Sequence, residues 1–180
     1  MRMAKSPGGK SEAFLREFPP QIFEKKCRQP AGGWRIKEGV YMPKKLHALR
    51  KKATRQELRD LDQEILFLEG LIHRDSNYVE ALQILGDDYT RRGRYAEGLR
   101  IDERLSKLRP DDALIHYNLA CSYSLTEQLD LALETLEVAI NLGYRDFAWM
   151  LKDPDLSNLR EHANYKKIQA KVRELQVKAR

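Results

Sequence analysis

A thirty-four-residue period constrains this chain more than any other feature. The segment 79–112 recurs in register as 113–146, which pairs Leu82 with His116, Leu85 with Leu119, Gly86 with Ala120, Tyr89 with Tyr123, Gly98 with Ala132 and Leu105 with Ala139. Large positions answer large ones for the most part, and small positions answer small ones. Self-similarity at a period of roughly 20 to 50 residues marks an architecture of stacked supersecondary units, none of which can bury its apolar face alone.

Each copy divides into two helices. In the first, Leu82, Leu85 and Tyr89 fall on one helical face, and Arg91-Arg92-Gly93-Arg94 interrupts the pattern. Tyr95, Gly98, Leu99, Leu105 and Leu108 then mark a second helix, which Pro110 closes because it lacks the amide that a helix interior needs. The second copy repeats this with Leu119 and Tyr123, then with Leu129, Ala132, Leu133, Leu136, Ala139 and Ile140, and Gly143 supplies its stop. Gly86 with Gly98, and Ala120 with Ala132, place small side chains where the two helices of a hairpin cross closely. His116 falls on a position that the period assigns to the core.

Leu82, Leu85-Gly86, Tyr89, Gly98, Leu105 and Pro110 together resemble the tetratricopeptide (TPR) repeat. The sequence departs from that pattern at Asp102, where an aromatic or apolar residue is usual, and at Tyr144, which replaces the closing Pro of the second copy. The resemblance implies an all-α fold, a short right-handed superhelix of antiparallel helical hairpins (a TPR-like α-solenoid), whose work is to bind protein. Residues 54–180 would form this domain, with a half-repeat at 54–76, repeats at 79–112 and 113–146, and degenerate closing helices at 147–180.

The boundaries of that domain carry their own signals. Thr54-Arg55-Gln56-Glu57 is a capping box, in which the Thr hydroxyl and the Glu carboxylate satisfy unpaired amides at a helix start. Leu58, Leu61, Ile65, Leu68 and Ile72 follow at steps of three and four, and Asp75-Ser76-Asn77 ends the helix. Beyond the second copy, Phe147, Trp149, Met150 and Leu151 begin a third, Asp153-Pro154 reads as an N-cap followed by Pro at the first helical position, and Tyr165, Ile168, Val172 and Leu175 stripe a last helix. The run from Asp153 to Tyr165 resembles the degenerate closing segment of bacterial TPR proteins.

Residues 1–53 are of another kind. Positions 1 to 55 hold 15 Lys or Arg against 4 acidic residues, so the net +6 of the chain is concentrated there and the remainder is net acidic. Ser6-Pro7-Gly8-Gly9, Pro19-Pro20 and Pro30-Ala31-Gly32-Gly33 break the segment into short pieces, which predicts a basic, largely disordered arm. Its apolar islands, around Phe14 to Phe23 and around Trp34 to Met42, suit docking onto the repeats or onto another molecule. Lys25, Lys26, Arg28, Trp34, Tyr41, Lys44 and Lys45 are its candidate contacts, for acidic protein, for the chain's own groove, or for RNA or DNA, whose phosphates attract Lys and Arg while bases stack on aromatics.

Catalysis has no visible footing. No nucleophile motif, phosphate loop or dinucleotide fingerprint is present, and Cys27 and Cys121 lie far apart without zinc or redox spacing. His47, His73, His116 and His162 sit in separate segments, so neither a metal nor another cofactor is expected. Without a long apolar run or a signal peptide, the expected location is cytoplasmic, with no membrane span. The oligomeric state is open, since helical repeats can also associate through an uncapped end.

In the family, the first helix of each hairpin lines the concave side. The resemblance therefore implies a groove formed by Glu80, Gln83, Asp87 and Thr90 from the first copy and Leu114, Tyr117, Asn118, Cys121 and Ser124 from the second, extended by Lys152 and Ala148. Tyr117 is the expected anchor for a peptide or helix of a partner. TPR domains that grip the C-terminal carboxylate of chaperones use Lys and Asn on the first helix; Gln83 and Asp87 stand there instead, and an acid would repel such a tail. The reading is a non-enzymatic scaffold or adaptor, with nucleic-acid association through the arm, or the arm inhibiting its own groove, as alternatives.

Overall fold

A computed structural model of the chain describes residues 53–178. The basic arm, its apolar islands and its candidate contacts Lys25, Lys26, Arg28, Trp34, Tyr41, Lys44 and Lys45 fall outside the described residues. Among these residues every regular element is helical. They are α1 (Arg55–Arg74), α2 (Val79–Arg92), α3 (Tyr95–Leu108), α4 (Ala113–Leu125), α5 (Leu129–Asn141), α6 (Phe147–Met150), a 3₁₀ turn (Pro154–Leu156), α7 (Ser157–Glu161) and α8 (Tyr165–Lys178).

Local chemistry sets the ends of these elements. The Thr54 hydroxyl accepts from the Glu57 amide at 3.2 Å while the Glu57 carboxylate accepts from the Thr54 amide at 2.7 Å, closing the capping box at α1. Gly93 terminates α2 at φ 83°, and the Arg94 amide then donates to the Tyr89 carbonyl at 2.8 Å. A residue with a Cβ is strained in that left-handed conformation, and glycine is not. Asp112 caps α4 by accepting from the amides of Leu114 and Ile115, and Asp153 caps the 3₁₀ turn, with Pro154 next in line.

Consecutive helices pack neighbour on neighbour: α1 on α2, α2 on α3, α3 on α4 and α4 on α5. The α2–α3 crossing is close because both helices are bare there. A Cβ on Gly86 would lie 3.0 Å from Asp102 Oδ1, and one on Gly98 would lie 3.1 Å from Thr90 Oγ1. At the corresponding places in the second hairpin, Ala120 and Ala132 are wholly buried. The second hairpin thus buries small side chains at the positions where the first has its glycines.

Burial resolves into two cores. One gathers Leu61, Ile65 and Leu68 of α1, Leu82 and Leu85 of α2, Leu105 of α3 and Ile115 of α4. The other gathers Tyr117, Ala120 and Leu136 with Tyr144, Phe147, Met150, Leu156, Leu159, Tyr165 and Ile168. His116, expected in the core, is only half-buried, with Nε2 2.8 Å from the Pro110 carbonyl, and Ile115 takes the interior position beside it. The cost of desolvating an imidazole explains the exchange: the ring keeps a polar partner at the rim while the aliphatic neighbour goes inside. No described helix is long and apolar enough to cross a membrane.

Candidate functional site

The positions expected to line a groove divide into a set that stays accessible and a set that is buried, and most of the buried ones lie on α4. On α2, Glu80 is exposed and Gln83 and Asp87 are half-exposed, recurring at steps of three and four along one face. Asn118 of α4 and Lys152 after α6 are exposed, and Leu114 is half-buried. These six keep surface that a partner can reach.

Thr90, Tyr117, Cys121 and Ser124 do not. Thr90 sits at the α2–α3 crossing, where its hydroxyl fills the space left by Gly98. Ser124 is wholly buried near the end of α4. Tyr117, the expected anchor, is spent internally. Its ring stacks on Tyr144 with centroids 4.1 Å apart and planes 4° from parallel, and its hydroxyl donates to Asp153 Oδ2 at 2.6 Å. The Cys121 thiol points at the same carboxylate oxygen, 3.8 Å away. The cause is the return of the chain after α5: the 3₁₀ turn and α7 pack against α4, covering the side on which a second stretch of groove was expected.

Electrostatics follows from that burial. Burial, with the charge of Asp153 nearby, raises the Tyr117 phenol far above its ordinary value, so it acts as a fixed hydrogen-bond donor. Burial and then the charges of Asp153 and Asp155 likewise hold the Cys121 thiol neutral, and a neutral thiol is a poor nucleophile and a poor metal ligand. Arg160 completes the clasp by donating to the Asp153 carbonyl at 2.7 Å. Among the described residues, no three His, Cys, Asp or Glu side chains come together in a way that could hold a metal ion.

A second polar seam was missed at the level of sequence beyond its being a departure from pattern. Asp102 is buried between α3 and α4, where it accepts a 2.5 Å hydrogen bond from Ser122. Burial pushes its carboxyl up to about 7; the Ser122 hydrogen bond opposes this, and the charge of Asp87 adds to it. Tyr123 donates to Glu103 at 3.2 Å across the same pair of helices. Only the choice of Asp102 in place of an apolar residue signalled any of this, and its partner lies twenty residues away.

No protein-family model matches the chain. It is similar to a chloroplastic protein of Arabidopsis thaliana, with 36% identity over 100 residues, 54% of this chain and 28% of that protein. The chain therefore spans less than a third of the length of this relative.

Proposed function

We propose that the chain is a TPR-like interaction module, a short right-handed helical array that holds a peptide or helix of another protein and performs no catalysis itself. The observation that carries this is the open face of α2, where Glu80, Gln83 and Asp87 line up beside a neighbour-on-neighbour helical stack. With Tyr117, Cys121 and Ser124 of α4 covered, the binding face consists of these three with Leu114, Asn118 and Lys152. Its acids favour a partner segment bearing Lys or Arg and disfavour acidic chaperone tails.

The test is capture from native extract by the full chain and by a Glu80→Lys, Asp87→Lys double variant, each with nuclease and across a salt series. Retention by the native chain that survives nuclease and is lost in the double variant supports the reading. Capture indifferent to the charge reversal overturns it. The charge asymmetry of the sequence keeps one rival: nucleic-acid association through the arm, which would weaken steeply with salt and vanish on deleting residues 1–53. Cytoplasm and, from the name of the relative, chloroplast are the two locations to separate, by following a full-chain fluorescent fusion.

A further inference from the structure

The second helices of the two hairpins differ in chemistry at equivalent positions, apolar and acidic on α5 and basic on α3. Along α5 and its C-terminal cap, Leu131, Val138 and Leu142 remain 43%, 41% and 37% exposed, and their steps of seven and four place them on one stripe. Glu134 stands between Leu131 and Val138 and is exposed, as is Glu127 just before the helix. The other acids of α5 are already engaged, Glu137 with Lys171 at 2.7 Å and Asp130 facing His162 at 3.7 Å. One period earlier, α3 places Arg100, Arg104 and Lys107 where α5 has Glu134, Val138 and Asn141. Arg100 and Lys107 are exposed and Arg104 is half-buried, its guanidinium 3.5 Å from Asn77.

We propose that these two faces form a self-association surface whose occupant is a second copy of this chain, with α5 of each copy lying against α3 of the other. The argument is charge complementarity between two faces of one molecule. Both helices pack on α4, and all of these positions except Arg104 are exposed to solvent. Two copies related by a two-fold axis exchange the contact reciprocally and leave neither face over. The aliphatic stems of Arg100, Arg104 and Lys107 cover Leu131, Val138 and Leu142, while their charged ends reach Glu134 and Glu127. Three half-exposed apolar side chains are far less than the ~800 Å² per partner of a stable interface, so the dimer is weak and reversible, dissociating on the order of 100 µM.

The experiment is sedimentation velocity of the full chain from low to high micromolar concentration, with circular dichroism confirming the fold of each variant. The native chain is expected to move from monomer toward dimer, and V138K, a change at an exposed position, to weaken association about tenfold or more. E134R and R100E should each weaken it, and the double variant should recover most of the loss, a rescue that general surface stickiness would not produce. A monomer at every concentration overturns the proposal, as does an association that V138K leaves intact. Sensitivity to V138K without rescue by the charge exchange overturns the α3–α5 pairing.

Discussion

The two cores are built from consecutive helices and differ in how they are held. The first, around Leu82 and Leu85, is aliphatic, and its polar ties sit at the edge: Tyr89 donates to Glu69 at 2.5 Å under the Arg94 guanidinium, and Arg92 meets Asp62 at 2.6 Å. The second, around Leu136 and Met150, carries its polar ties inside, where the Tyr117–Tyr144 stack ends on the buried Asp153 carboxylate. The lesson lies in where they differ. Tyr144 is the residue that replaces the closing Pro of the pattern, and it builds the aromatic stack by which the terminal segment folds back over α4. The position at which the sequence departs from the pattern thus carries the ring that stacks on Tyr117.

The sharpest way to break this contrast is to cut a cavity in each core. Leu82→Ala and Leu136→Ala each remove a wholly buried side chain, at an expected cost of about 2 to 5 kcal/mol. Urea unfolding followed by circular dichroism should show one transition, shifted in both variants, because α4 contributes Ile115 to one core and Tyr117 to the other. Two separated transitions would mean that the cores are independent units. Next in size is the seam between them. The Asp102 carboxyl is raised from 3.8 to about 7, so the folded state holds its proton more tightly than the unfolded chain does. The resulting stability is complete below the ordinary carboxyl value, declines as pH rises, and is lost once pH passes about 7. The magnitude is on the order of a few kcal/mol. Asp102→Asn keeps an oxygen for Ser122 without a titrating proton; unfolding at pH 5 and pH 8 should show a smaller loss in the variant than in the native chain. Equal losses would place the pH dependence elsewhere.

Within the second core, Tyr117→Phe keeps the ring stack but removes the donor to Asp153. A buried carboxylate oxygen then lacks that partner, at an expected cost of about 1 to 3 kcal/mol. Hydrogen exchange locates the effect: protection should fall first at residues 153–161, while α1 and α2 stay protected. Loss spread evenly over both cores would show that the clasp does not hold the terminal segment specifically.

How far the sequence carried this description depended on distance along the chain. The capping box at Thr54 and Glu57, the stop at Gly93 and the Asp153-Pro154 start were legible because each is settled within a few residues. The crossing at Gly86 and Gly98 was legible because the period repeats it. The burial of Tyr117 and Cys121 was not, since it depends on a segment thirty-two to thirty-six residues later folding back onto α4. Groove positions were assigned by the resemblance as though every hairpin had an open side, and α4 is instead buried on more than one. Asp102 announced itself only as an anomaly, because a buried carboxyl becomes intelligible only with Ser122 beside it.

The smallest expected effect concerns the outer edge of the second core. Lys171 of α8 reaches Glu137 of α5 at 2.7 Å, with the lysine about a quarter and the glutamate about half exposed. Ile168 and Val172 on either side are buried against the same core, so burial rather than charge supplies most of the docking of α8. A half-solvated pair of this kind contributes about 0.2 to 1 kcal/mol and is screened by salt. Lys171→Ala should therefore lower stability slightly at low ionic strength and scarcely at all at high salt, whereas Ile168→Ala should be costly at both. Urea titrations at two salt concentrations separate the cases. A Lys171→Ala cost that persisted in high salt would mean that the aliphatic stem of the lysine covers the core edge, making packing the common bond of the two cores at their surface as well as inside.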